Sequence, residues 1–253
     1  AAQRPIFRRF AAPNRRVSQA LCNPNFKGIA MSLPKPDKNK LFEQVFRHQA
    51  KDELERFIEY TLEIESKFSA DKNRLADSFS EATEGLNDDE IREVEDYFSD
   101  DYYIIEEIHV GLYRRSTLVS VYSFLENSLN TLCRHLYKRH GYSVEVGDLR
   151  GEGIIRAKSY LEKLAGIDFS MLNGEWSKIS SFNKIRNCIV HSEGNIKASK
   201  SATQLDNIVN TSSGLSLRDG RYIKIDREYI DFIITTIEKF MDKLYDQVFT
   251  QNA

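Results

Sequence analysis

The segment Arg186-Asn187-Cys188-Ile189-Val190-His191 puts a strong cation, a carboxamide and an imidazole into one short run. An imidazole with a reference pKa of ~6.5 both accepts and donates a proton near neutrality. A guanidinium pairs best with the oxygens of a carboxylate or a phosphate. On a helical wheel of ~100° per residue, Trp176, Ile179, Phe182, Ile185 and Ile189 form one buried stripe, and Arg186 projects within it. Burying an unpaired guanidinium is expensive, so Arg186 is expected either to meet a carboxylate or to line a polar cleft that awaits an anion. Asn183, Asn187 and His191, at i, i+4 and i+8, form a polar strip beside it. His191 lies roughly 140° around the helix from Arg186. The two converge only if the helix ends here, which Ser192-Glu193-Gly194 allows, or if a second subunit completes the site.

Other residues offer weaker chemistry. Glu126 sits near the apolar seam of a long helix, beside Leu125 and before Leu129; it is placed to orient Arg186 or His191, or is simply a solvated helix glutamate. The run Arg134-His135-Leu136-Tyr137-Lys138-Arg139-His140 offers Arg134, Lys138 and Arg139 as a phosphate-tracking face. More often such a run is a solvated helix end favoured by the dipole. Cys188 reads as a small buried residue, because no adjacent base is evident to activate its thiol. Cys22, Cys133 and Cys188 show neither CxxC nor Cys/His spacing, and His135 and His140 do not share a helix face, so no metal and no cofactor is expected. Gly151-x-Gly153 stands without the rest of any nucleotide-binding fingerprint.

The elements that would position these residues are helices. Phe42, Val45, Phe46, Leu54, Phe57, Ile58, Leu62 and Phe68 recur at steps of three and four, which predicts one long amphipathic helix over 40–80. Asn87, followed by Asp88, Asp89 and Glu90, predicts an N-cap with acids in the first turn, and so the start of a second helix. From Tyr103 to about His140, Ile105, Ile108, Leu112, Leu118, Tyr122, Leu125, Leu129, Leu132 and Leu136 predict a bundle helix, with Gly111 as a candidate bend and Gly141 as its C-cap. A shorter helix around Ile154, Ala157, Leu161 and Leu164 closes at Gly166, and the motif helix spans about Gly174 to His191. The polar stretch from Ala198 to Gly214 reads as a mobile loop. Leu215–Leu217 and Tyr222–Ile225 around Asp219-Gly220 predict a hairpin, and Tyr229, Phe232, Ile233, Ile237, Phe240, Leu244 and Val248 a closing helix. The fold class is therefore all-α, an antiparallel helical bundle with a small β-hairpin before the last helix.

Charge divides the chain. Residues 1–36 carry Arg4, Arg8, Arg9, Arg15, Arg16, Lys27 and Lys35 without a single acid, and they hold all five prolines. With a formal net charge of -2 overall, the remainder is acidic. This leader fits a transit-like peptide, a basic nucleic-acid-binding arm, or residues foreign to the mature protein; the last is preferred because Met31-Ser32 looks like a true start, and the segment is expected to be disordered. Residues 37–100 are then an N-terminal helical element that packs on the bundle or recognises a partner, and 101–250 the bundle itself. No apolar run approaches the ~20 residues of a membrane span, so a soluble, cytoplasmic protein is expected.

Arg-Asn-x-x-x-His on an amphipathic helix, with Gly194 shortly after, resembles the R-x4-6-H motif of HEPN-domain proteins. The likeness covers roughly residues 103–249, from the long helix with Leu125-Glu126-Asn127 to the last helix after the hairpin. It implies a homodimer that cleaves RNA without metal in a cleft between subunits, in a defence or toxin-like role and with a protein regulator as a further partner. Carried over by position, His191 is the general acid/base, Arg186 holds the scissile phosphate, and Asn187 orients the histidine or a phosphate oxygen. HEPN folds without nuclease activity also exist. The alternative expectation is a non-catalytic interaction module using the same cleft.

Overall fold

The computed structural model describes residues 38–250, so the leader and its proposed start lie outside the described residues. Seven helices and one hairpin make up the described chain: α1 (Lys38–Ala82), α2 (Asp88–Tyr103), α3 (Gly111–His140), α4 (Gly153–Lys163), α5 (Asn173–Ser192), α6 (Ala202–Thr211), β1 (Leu215–Arg218), β2 (Tyr222–Ile225) and α7 (Arg227–Thr250). The all-α architecture with a small antiparallel hairpin ahead of the last helix is as the sequence predicts.

Local chemistry explains most boundaries. Asn87 caps α2 by accepting from the amides of Asp89 and Glu90, while the Glu90 carboxylate accepts from the Asn87 amide, a complete capping box. Gly141 ends α3 in the left-handed conformation at φ 64°, which costs a glycine nothing. In the hairpin, Leu215 pairs with Ile225 and Arg218 with Tyr222, and Asp219 and Gly220 supply the positive φ values of the turn.

Two expectations are corrected. The helices predicted to begin at Asn87 and near Tyr103 are one continuous rod, because Ile104–Val110 forms a π-helical stretch joining α2 to α3. Gly111 has ordinary helical dihedrals, so the irregularity precedes it. It coincides with Glu106 and Glu107, which reach Lys72 on α1 and Lys224 on β2. Second, the polar stretch from Ala198 to Gly214 is not a loop throughout: Leu205, Ile208 and Val209, at i, i+3 and i+4, are buried as one face of α6. Serines and asparagines around that short stripe mask its period.

The core gathers around α3, α5 and α7. Leu125, Leu129, Leu132 and Leu136 of α3, Ile179, Phe182 and Ile185 of α5, and Ile237, Phe240 and Leu244 of α7 are all fully buried. Each such side chain contributes on the order of 1.5–3 kcal/mol of burial. The first half of α1 joins this core through Ala50 and Leu54. Its ring partners on α3 fall in number as its own rise, His135 against Phe42 and Phe46, Phe124 against Phe57, Tyr113 against Phe68, so α1 runs antiparallel to α3. α2, in contrast, buries no residue and touches α1 through the edge-to-face pair Phe79–Phe98. No helix among the described residues is long and apolar enough to cross a membrane.

Candidate functional site

The motif lies on α5 where that helix crosses α3. Phe182 meets Tyr122 edge to face, and one turn later the Arg186 guanidinium lies over the same ring, 4.7 Å from its centroid. Tyr122 is itself buried, so the cation rests on a fixed aromatic surface. Arg186 Nη1 donates to Asn187 Oδ1 at 2.9 Å, and Asn187 Nδ2 donates to Asn183 Oδ1 at 3.3 Å. The predicted polar strip is therefore a chain of donors and acceptors that fixes the guanidinium. Arg186 Nε is buried and has no hydrogen-bond partner, and Arg186 makes no ion pair among the described residues.

Glu126 stands one turn beyond Tyr122 on α3 and does not pair with Arg186. Its neighbour is the start of α4: a Cβ built on Gly153, at φ +54°, would lie 3.1 Å from the Tyr122 hydroxyl and 3.6 Å from Glu126 Oε1. Gly153 thus serves close approach of backbone to side chain, not phosphate binding. Burial raises the Tyr122 pKa, the Glu126 charge pushes it the same way, and Arg186 acts against both. The hydroxyl remains protonated at neutral pH, so Tyr122 is a platform and not a base. Sequence reasoning placed Tyr122 in the apolar seam alone; the only signal of a further role was that a hydroxyl there needs a partner.

His191 sits in the last turn of α5, exposed, and α5 stays helical through Ser192. The helix does not end early enough to swing His191 toward Arg186, so within one chain the two point about 140° apart. Asn187 engages Arg186 and Asn183 and makes no hydrogen bond to His191 among the described residues. Glu193 then turns left-handed at φ 52° and Gly194 at φ 80°, and the Gly194 amide donates back to the Cys188 carbonyl at 3.1 Å. The next residues are stitched to the hairpin: the Ile223 amide donates to the Gly194 carbonyl, and the Ile196 amide to the Arg221 carbonyl, each at 2.9 Å. This tie fixes β2 beside the end of the motif helix.

The basic run of α3 is elsewhere. Arg134 is exposed and donates to Thr131, Lys138 is exposed, and Arg139 is half-buried. They lie roughly 18–26 Å along α3 from Tyr122, so the structure does not bring them to the motif. Burial raises the Cys188 thiol pKa, which keeps it un-ionised and unreactive.

No family model, characterised protein or solved structure matches the chain. The chemistry of the site is accordingly argued from its own geometry. Among the described residues, no cluster of His, Cys, Asp or Glu is arranged to hold a metal ion. The available groups are a supported guanidinium with two carboxamides, suited to binding an anion, and an exposed imidazole about 140° away around the same helix.

Proposed function

We propose that the protein is a metal-independent endoribonuclease of HEPN type, acting as a homodimer whose paired motif helices assemble the site. The observation that carries this reading is the state of Arg186: half-buried, seated on Tyr122, braced by Asn187, with Nε unpaired and no carboxylate neutralising it. A guanidinium serving architecture alone would be expected to meet Glu126, because leaving a buried charge unpaired costs several kcal/mol, on the order of 3–5 when a buried pair is broken. An unpaired one is prepared for an anion.

The chemistry follows from these groups. A ribose 2′-hydroxyl attacks the adjacent phosphorus as an imidazole removes its proton; the bond from phosphorus to the 5′-oxygen breaks, and that oxygen takes a proton from an imidazolium. The products are a 2′,3′-cyclic phosphate and a 5′-hydroxyl. Arg186 stabilises the extra negative charge on the pentacoordinate phosphorus, a role a fixed donor fills without reorganising. Because His191 points away from Arg186 on its own helix, a second copy is needed to bring an imidazole over the phosphate.

The test is cleavage of structured and single-stranded RNA by the chain in excess EDTA, with Arg186→Ala and His191→Ala matched for thermal stability. Cleavage that survives EDTA, leaves a cyclic phosphate and falls at least a hundredfold in both variants is expected, general acid/base residues contributing roughly 10²–10⁴. A broad RNA set left intact by the wild-type chain would overturn the proposal. The second reading, a binding module, is favoured by one feature: Ile104, Ile108 and Leu112, exposed at every fourth position, offer an apolar stripe to a partner.

A further inference from the structure

A cleft opens between α3, the end of α5 and the hairpin. Its volume is about 740 Å³, within the range of small-molecule sites. α3 contributes Leu112, Arg115, Ser116, Val119 and Ser120, α5 and its C-cap contribute Ile189 and Glu193, and the hairpin contributes Arg218 and Tyr222. Ile189 is three residues after Arg186 and so about 60° from it around the helix. The cleft therefore lies about one turn of α5 beyond Arg186, and the backbone tie between Gly194 and Ile223 helps hold the hairpin that forms its third wall.

Its charges are unlike those of the other large groove. Between α1 and α3 a groove of about 780 Å³ also carries Asp52, Glu53 and Arg56, but Asp52 meets His48 at 3.2 Å and Glu53 meets Arg56 at 2.9 Å, so its charges are satisfied locally. In the α3–hairpin cleft, Arg115 is half-buried and has no ion pair among the described residues. Arg218 reaches Glu107 and Asp219 only at 3.8 Å each, beyond hydrogen-bond distance. Glu193 is the single acid of the lining. Two under-used guanidiniums, Arg115 and Arg218, line the cleft with one carboxylate and the apolar side chains of Leu112, Val119 and Ile189, and the Tyr222 ring centroid lies 5.4 Å from Arg218 and 5.1 Å from Arg221.

We infer that this cleft is a nucleotide subsite: Arg115 and Arg218 take a phosphate, and the apolar wall of Leu112, Val119 and Ile189 receives the attached sugar and base. The inference rests on the reading of the motif as an RNA site, and adds how a flanking nucleotide is gripped. Two guanidiniums at one anion give forked donors that a lysine could not. The apolar wall gives a sequence-tolerant surface for a base, as in other single-strand clefts. Glu193 opposes the phosphate and so limits the grip.

The phosphate belongs either to an RNA chain or to a free mononucleotide, and the experiment separates these. Binding of a labelled, 2′-O-methylated oligoribonucleotide, which cannot be cleaved, is measured by fluorescence anisotropy beside AMP by calorimetry, for the wild-type chain, Arg115→Ala, Arg115→Glu, Arg218→Ala and Glu193→Gln. Oligonucleotide affinity is expected to fall at least tenfold in Arg115→Glu and severalfold in the two alanine variants, and to rise in Glu193→Gln. For Arg115→Ala, the slope of log affinity against log salt should drop by about 0.7, the value of one lost contact to a single strand; a fold defect would not change the slope in that way. AMP binding lost in Arg115→Glu, without oligonucleotide binding, assigns the site to a free nucleotide. Wild-type affinity in Arg115→Glu, or no binding of either ligand, overturns the inference. The outcomes stay separate from the nuclease reading: binding lost in Arg115→Glu by a chain that cleaves nothing keeps the subsite and removes the enzyme, whereas cleavage indifferent to Arg115→Glu keeps the enzyme and removes the subsite.

Discussion

Arg186 gains its place from Tyr122, and the contribution of that ring is separable from burial. Tyr122→Phe keeps the aromatic face and loses only the hydroxyl beside Gly153; Tyr122→Leu keeps apolar volume and loses the face. A cation over an aromatic ring gains about 0.5–1 kcal/mol when exposed and about 2 kcal/mol or more when desolvated, and the half-buried Arg186 falls between. Tyr122→Leu is therefore expected to weaken RNA turnover by about tenfold at matched stability while Tyr122→Phe stays within a few-fold of the wild type, both read as kcat/KM. Equal loss in the two would assign the role to the hydroxyl. The sequence pointed to Arg186 because a charge on a buried stripe breaks its period, and to Asn183, Asn187 and His191 because they form a polar strip beside that stripe. It could not point to Tyr122, since a tyrosine in an apolar seam satisfies that period. Nor could it show Arg115 and Arg218, which are about a hundred residues apart along the chain and line one cleft because the tie at Gly194 and the Glu107–Lys224 pair hold the hairpin in place.

At the scale of elements, the docking of α1 on α3 passes through His135, whose ring lies 4.5 Å from that of Phe42 and 5.3 Å from that of Phe46. Burial lowers its pKa below the usual 6.5, and the charges of Arg139 and His140 lower it further. With the folded value below the unfolded one, the unfolded chain binds the extra proton first, so stability is full above about pH 6.5 and is lost as the pH falls through the depressed folded value. Hydrogen exchange in the first turns of α1 should quicken as the pH is lowered from 7 to 5 after correction for intrinsic rates, and His135→Phe should flatten that dependence. An unchanged profile in the variant would place the sensitivity elsewhere. α2 should exchange fastest of the long helices at every pH, since it buries nothing. Helix periodicity made these elements legible in advance except where the register was disturbed: seven π-helical residues hide the continuity of α2 with α3, and a short apolar stripe among polar residues hides α6.

For the whole molecule, the question is whether α1 is an addition to the bundle or a wall of it. Amphipathic periodicity says that a helix has a partner, but not which one. The structure gives α1 two: Phe57 lies on Phe124 of α3, and Phe46 on Tyr245 and Phe249 of α7. Polar contacts follow the same path, Arg47 reaching Asp246 at 2.6 Å and Arg114 holding Glu65 at 2.7 and 3.0 Å in forked geometry. The Arg114–Glu65 pair is largely buried on both sides, so removing α1 leaves Arg114 with only its longer contacts to Asp226 at 3.4 Å and the Ile225 carbonyl at 3.2 Å, as well as bare aromatic surface. A chain cut to 101–250 is therefore expected to lose its cooperative thermal transition and bind an apolar dye. The chain from residue 37 should melt in one calorimetric transition with matching van't Hoff enthalpy, and Leu54→Ala should lower the stability of the whole by about 2–5 kcal/mol. Two resolved transitions in the longer chain, or a well-folded 101–250, would make α1 a separable module. In that case α1 would be free to leave α3 and α7 when a partner binds, and regulation of the Arg186 site through Tyr122 and its neighbours on α3 would become the next question to test.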